Sequence, residues 1–252
     1  MPEPQAPDEI AGEPVARLEN IDRLFGDLTV LDDVSLALPE NTVTSLIGPN
    51  GSGKTTLVKI AAGVLQPDSG ERTIVADSER PVGYLPQSPQ FRPAFSVEET
   101  LEFYDDLLDA DADVQGAMEQ VGLAEVADRR VDALSGGMRQ LLGVAQGFLG
   151  RPSLVVLDEP TSGLDPRMKQ HIFDVVSEMA TDGTAVLLTT HDLASADASD
   201  RIALLNRGQL IVDESPDKFR SQTNTNSLLS AFLATVGEDP TVQTGREDGT
   251  HD

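Results

Sequence analysis

Gly48-Pro49-Asn50-Gly51-Ser52-Gly53-Lys54-Thr55 matches the pattern GxxxxGK[ST] in full, and its reading decides the fold. It stands between a short apolar run, Val43 to Ile47, and a stretch of helical character, TTLVKIAAGVL, from Thr55 to Leu65. A strand, a glycine-rich turn and a helix in that order aim backbone N–H groups and the positive helix end at an anion. Gly48, Asn50, Gly51, Ser52, Gly53, Lys54, Thr55 and Thr56 are therefore candidate nucleotide-binding residues. The Lys54 side chain has the reach for the β- and γ-phosphates, and the Thr55 hydroxyl is a candidate Mg²⁺ ligand.

Outward from that loop, the pattern alternates between strands and helices. Residues 1–14 carry Pro2, Pro4, Pro7 and Pro14 among acids and read as a disordered lead-in without the basic and apolar regions of a secretory signal. Short strands are expected in Val15–Leu38 around a turn at Phe25-Gly26-Asp27, and two more in 71–86. From Ser96, spaced with Glu99 as a capping box, helical periodicity runs to about Leu149, with breaks near Asp111 and Asp132. LVVL (Leu154–Leu157) is a buried-type strand, and a helix is expected over about Pro166–Thr181. AVLLTT and RIALLN follow as strands, with QLIV after a turn at Arg207-Gly208. Strands alternating with helices indicate an α/β fold with a parallel sheet, into which an acidic, mostly helical subdomain is inserted at about 93–150. The end of the chain, 235–252, reads as a disordered tail.

The strand at Leu154–Leu157 ends in Asp158 and Glu159. A carboxylate at the carboxyl end of a sheet can hold Mg²⁺, which suits Asp158, and a second can activate water for in-line attack on a phosphate, which suits Glu159. Solvated acids at a strand end are common. Here, however, the pair follows a phosphate loop and precedes Thr161-Ser162-Gly163-Leu164-Asp165. Just upstream, Leu134-Ser135-Gly136-Gly137-Met138-Arg139-Gln140 offers a helix N-cap at Ser135 and two glycines that permit close approach to an anion.

The order of these motifs resembles the ATP-binding subunits of ABC transporters: phosphate loop, Gln87 after a strand, LSGG, LVVLDEP, SGLD, then His191 after a strand. The resemblance covers about residues 15–234. It implies a P-loop NTPase core with a mostly parallel sheet, an N-terminal antiparallel β subdomain and the inserted helical subdomain. It also implies ATP and Mg²⁺ as cofactors. Phe25 falls where the family keeps an aromatic ring against adenine, although a core Phe beside Leu24 and Val30 is the competing reading. Gln87 resembles the residue that touches Mg²⁺ and the attacking water, and His191 resembles the switch at the γ-phosphate. With Glu159 as base, Gln87 and His191 complete the implied catalytic set. Ser135, Gly136 and Gly137 would face the ATP of a second ATP-binding subunit, identical or paralogous, and Asp165 resembles the aspartate at that interface. Met138 departs from the commonest family motif, which has Gln.

The resemblance also implies membrane-spanning partners on separate chains and a cytoplasmic location on the inner face of the membrane. The compact stretch between Gln87 and Leu134, Met138 and the terminal SLLSAFLATVGED resemble export systems of the ABC-2 type. A soluble ABC ATPase acting with cytosolic scaffold proteins, of the iron–sulfur assembly type, remains the alternative.

Composition bounds the rest. Zero cysteine excludes disulfide scaffolds and thiolate metal sites. With 18 basic against 43 acidic residues, a net charge of −25 argues against nucleic acid as a partner. Only Lys54, Lys59, Lys169 and Lys218 are lysines among the basic residues, and carboxylates crowd the stretch from Glu98 to Asp132 as well as the tails. That balance resembles proteins of organisms with high internal salt, where a Debye length of roughly 3 Å at about 1 M screens self-repulsion. An acidic protein of an ordinary organism is the competing reading.

Overall fold

The computed structural model describes residues 14–75, 80–108 and 112–237. The expected lead-in before Pro14, the break near Asp111 and nearly all of the expected tail lie outside the described residues.

Two sheets carry the architecture. β1 (Pro14–Phe25) and β2 (Leu28–Pro39) form an antiparallel hairpin, and β4 (Ser69–Ile74) pairs with the far edge of β1, giving the order β2-β1-β4. Alternate residues Ala16, Leu18, Val34, Leu36 and Leu38 turn inward, as a half-buried sheet requires. The second sheet has six strands, β5 (Val82–Leu85), β6 (Leu154–Leu157), β7 (Ala185–Thr189), β3 (Val43–Ile47), β8 (Arg201–Asn206) and β9 (Gln209–Glu214), in that spatial order. All pairings are parallel except the β8–β9 hairpin. Every residue of β3, β6 and β7 is buried, which explains their uninterrupted apolar runs.

The strand period of two divides the core. Val155 and Leu157 of β6 face a cluster with Leu101, Met118, Leu142 and Ile172, which belong to the helices on one side. Leu154 and Val156 face the other side, where Ile21 and Leu36 of the antiparallel sheet meet Leu57 and Ile60. A third cluster gathers Ile47, Ile202, Leu204, Phe219 and Leu228.

The helices begin where capping chemistry places them. In α2 (Val97–Leu108), Glu99 N donates to Ser96 Oγ at 3.0 Å and Ser96 N donates to Glu99 Oε2 at 2.8 Å, the expected reciprocal box. α3 (Val114–Gln120) is capped by Asp113, and α4 (Gly136–Phe148) by Ser135, whose Oγ accepts from Met138 N. α5 (Pro166–Met179) starts with Pro at its first position and Asp165 as its cap.

Two expectations need correction. α1 (Lys54–Ala61) is shorter than the run to Leu65, because Gly63 takes φ 74° and Val64 N turns back to Lys59 O at 2.9 Å. The break expected near Asp132 is wider than expected, and residues 121–135 are not α-helical. Their backbone crosses beside the start of α2, with Val97 N donating to Arg129 O and Val131 N to Phe95 O, leaving only 3₁₀ turns at Ala124–Val126 and Val131–Ala133. After β7 come the short α6 (Leu193–Ala196) and, beyond β9, α7 (Pro216–Gln222) and α8 (Leu228–Val236), the last running past residue 234.

Candidate functional site

β5, β6, β7 and β3 are adjacent and parallel, so the residues after their carboxyl ends meet at one edge of the sheet. β3 leads into the loop 48–53, β6 into Asp158-Glu159, β7 through Thr190 to His191, and β5 through Pro86 to Gln87. Asp158 N donates to Leu85 O at 2.8 Å, and Gln87 is exposed two residues beyond Leu85.

The loop is built for close approach. A Cβ on Gly48 would be driven into the Leu205 carbonyl oxygen, so only glycine fits there. Lys54, the first residue of α1, is 7% exposed, and its Nζ donates to Gly48 O at 2.8 Å and Pro49 O at 3.0 Å. Burial pulls its pKa below the ordinary lysine value, while Glu159 and Asp158 oppose that shift. Ser52 Oγ is buried without a hydrogen-bond partner among the described residues. An orphaned polar atom in a loop whose lysine turns back on its own carbonyls fits an anion that would satisfy both. Asn50, Gly51 and Thr55 are exposed around it, with Gly53 and Thr56 half-buried.

The acidic pair is held by β7. Asp158 is 2% exposed, and its Oδ1 accepts from Thr189 Oγ1 at 2.8 Å. Glu159 is 7% exposed and adopts φ 53°. Its N–H donates to the same Thr189 hydroxyl, and its Oε1 lies 2.8 Å from His191 Nε2. Burial pushes the Glu159 pKa up; His191 and Lys54 pull it down, and Asp158 adds to the rise. A carboxylate with a raised pKa beside a phosphate loop is a suitable proton acceptor.

Other expected site residues lie apart from this edge. Phe25 is exposed at the end of β1, with the Arg23 guanidinium 4.7 Å from its ring centre and Arg23 paired to Asp68, so it is not a core side chain. Ser135 and Gly136 are exposed at the start of α4. Gly137 is buried, and a Cβ there would press into the Met168 side chain of α5, so this glycine serves helix packing. Asp165 is exposed and spends one oxygen on capping α5, accepting from Arg167 N and Met168 N. A cavity of about 250 Å³ beside the loop is lined by Gly48, Pro49, Asn50, Thr190, His191, Leu193 and Phe232, and by none of Ser135, Gly136 and Gly137.

Among the residues at this edge not anticipated from the sequence are Thr189 and Phe232. Thr189 reads as the last polar residue of an apolar strand, and Phe232 as one more apolar residue of SLLSAFLATV; neither pattern carries a signal of chemistry.

Comparison with known proteins bears on the family and the fold. The family described as ABC transporter matches residues 31–162. An uncharacterized ABC transporter ATP-binding protein of Bacillus subtilis, YdbJ, is 38% identical over 210 residues, covering 79% of this chain and 68% of its own. The daunorubicin resistance ATP-binding protein DrrA2 of Streptomyces coeruleorubidus is 35% identical over 90% of this chain and 74% of its own. A spermidine/putrescine import ATP-binding protein of Pseudomonas aeruginosa is also 35% identical, over 82% of this chain and 61% of its own. A solved ATP-binding subunit of an ABC transporter superposes with a TM-score of 0.76 at 25% identity, covering 88% of this chain and 99% of that one. The chain belongs to the ABC transporter family, as one of its ATP-binding, ATP-hydrolysing subunits.

Proposed function

We propose that the edge formed by β3, β5, β6 and β7 is the hydrolytic site, and that the chain drives export through separate membrane-spanning subunits. One observation carries the site: Lys54, Asp158, Glu159 and His191, from three different strand ends, converge on one glycine-rich loop. In this reading Gly48, Asn50, Gly51, Ser52, Gly53, Lys54, Thr55 and Thr56 bind the phosphates of ATP and Phe25 stacks on its adenine. Thr55, Asp158 and Gln87 would hold Mg²⁺, which neutralises phosphate charge when bound. Glu159 accepts the proton of the attacking water, and His191 orients both the Glu159 carboxylate and the γ-phosphate.

Ser135, Gly136, Gly137 and Asp165 find no nucleotide within their own chain in this reading. They meet the ATP of a second ATP-binding subunit, so two nucleotides join two chains and hydrolysis releases them. Two supports favour export: the compact insertion with Met138, and the resistance named for the Streptomyces relative. No helix among the described residues is long and apolar enough to cross a membrane, which fits a motor that works on a separate membrane partner. The charge of −25 supports a working environment of high salt.

The experiment is a pull-down of the tagged chain from membranes of its own host in high salt, with partners identified by mass spectrometry. Recovery of a multi-spanning membrane protein is expected. Recovery of soluble scaffold proteins alone would overturn the transport reading in favour of the soluble ATPase class and leave the ATPase chemistry intact.

A further inference from the structure

Thr189 ends β7, is 1% exposed, and has its hydroxyl engaged on both sides. Glu159 N donates to Oγ1 at 2.8 Å, and Oγ1 lies 2.8 Å from Asp158 Oδ1. An oxygen lone pair of the hydroxyl accepts the Glu159 N–H, and its single proton is donated to Asp158. One hydroxyl thereby joins the side chain of one acid to the backbone of the next, across two neighbouring strands.

The backbone shows what this tie opposes. Glu159 sits at φ 53°, a left-handed conformation that a residue with a Cβ leaves readily unless its surroundings hold it. Thr189 holds its amide, and His191, two residues further along, meets its carboxylate at 2.8 Å. Rotation of the Asp158–Glu159 peptide toward an ordinary conformation would break the Thr189 bond and swing the carboxylate off His191. The bond from Thr189 to Oδ1 also fixes the plane of the Asp158 carboxylate.

We infer that Thr189 is a positioning residue for ATP hydrolysis, fixing the direction of the Glu159 carboxylate without itself touching nucleotide. This rests on the reading of Glu159 as the base.

The test compares wild type, T189V, T189S, E159Q and the double variant T189V/E159Q, with folding checked by thermal melts. Valine keeps the branched shape of a buried β-strand residue and removes only the hydroxyl. T189V is expected to lower kcat by about a hundredfold, the scale of a misplaced catalytic group. KM and the affinity for a fluorescent ATP analogue are expected to stay within about twofold, a split that general loosening of the core would not give. T189S, which keeps the hydroxyl, is expected to recover kcat to within about threefold, and the double variant to be no slower than E159Q. Should T189V fail to fold, Thr189→Ala carries the same comparison without asking for room. Wild-type kcat in T189V beside an inactive E159Q would overturn the positioning role and leave the base intact. A serine variant as slow as valine would overturn it too. Wild-type kcat in E159Q would overturn the base and this inference with it.

Discussion

His191 Nε2 stands 2.8 Å from Glu159 Oε1, joining the end of one strand to the end of its neighbour. The imidazole is half exposed while the carboxylate is nearly buried, so His191 is the face of the pair that a ligand meets first. Burial raises the Glu159 pKa, and His191 is the largest influence opposing that rise. Removing the imidazole therefore moves the Glu159 pKa further up. In His191→Ala the acid limb of the kcat profile is expected to shift to higher pH, together with a fall in kcat, as read by steady-state hydrolysis across pH. An unmoved limb would separate His191 from the state of the base.

Lys54 Nζ donates to two carbonyls of its own loop, Gly48 O and Pro49 O, and in the proposed reading a phosphate competes for that ammonium. Lys54→Ala is expected to weaken ATP binding by about 10- to 100-fold, the scale of a lost charge-assisted hydrogen bond. The melting temperature without nucleotide is expected not to fall, because burial works against the charged lysine in the folded chain. Titration calorimetry and a thermal melt together distinguish a binding role from a structural one.

Glu159 also links the site to stability. Its folded pKa lies above the ordinary value of about 4.5, so the folded chain holds this proton more tightly than the unfolded one. Stability is lost as pH rises from about 4.5 through the raised value, and the deficit persists above it. Glutamine does not ionise. E159Q is therefore expected to melt above wild type at pH 7–8, with the gap closing toward pH 4, as followed by differential scanning calorimetry.

Net charge sets a prediction for the whole chain. At −25, self-repulsion destabilises the compact state in dilute buffer and is screened as salt rises. The melting temperature is expected to climb steeply as KCl is raised from about 0.1 M to above about 1 M. Equal stability in dilute buffer would contradict the high-salt reading.

Much of this arrangement was legible in the sequence because it rests on local chemistry. The phosphate loop between Ile47 and Thr55, the Ser96/Glu99 capping box and the acids after Leu157 each need only neighbours in the chain, and the structure forms the loop and the box as expected. What local pattern could not show was tertiary. The strap at 129–131 forsakes a helix because Phe95 and Val97 offer it backbone partners. Gly137 also packs against Met168 of a helix that begins beyond Asp165, a contact its local pattern does not show. Thr189 shows the same limit, since its partners follow the end of the adjacent strand, 30 and 31 positions away in the chain.

The measurement that bears most directly on the account is ATP hydrolysis by purified wild type and Glu159→Gln, with nucleotide binding and sedimentation measured on the same samples in high salt. A general base contributes about 10²- to 10⁴-fold, so E159Q is expected to retain ATP, lose hydrolysis by that factor and sediment as a dimer when ATP is present. Hydrolysis by E159Q at the wild-type rate would contradict the assignment of the base, and with it the site built around Lys54, Asp158 and His191.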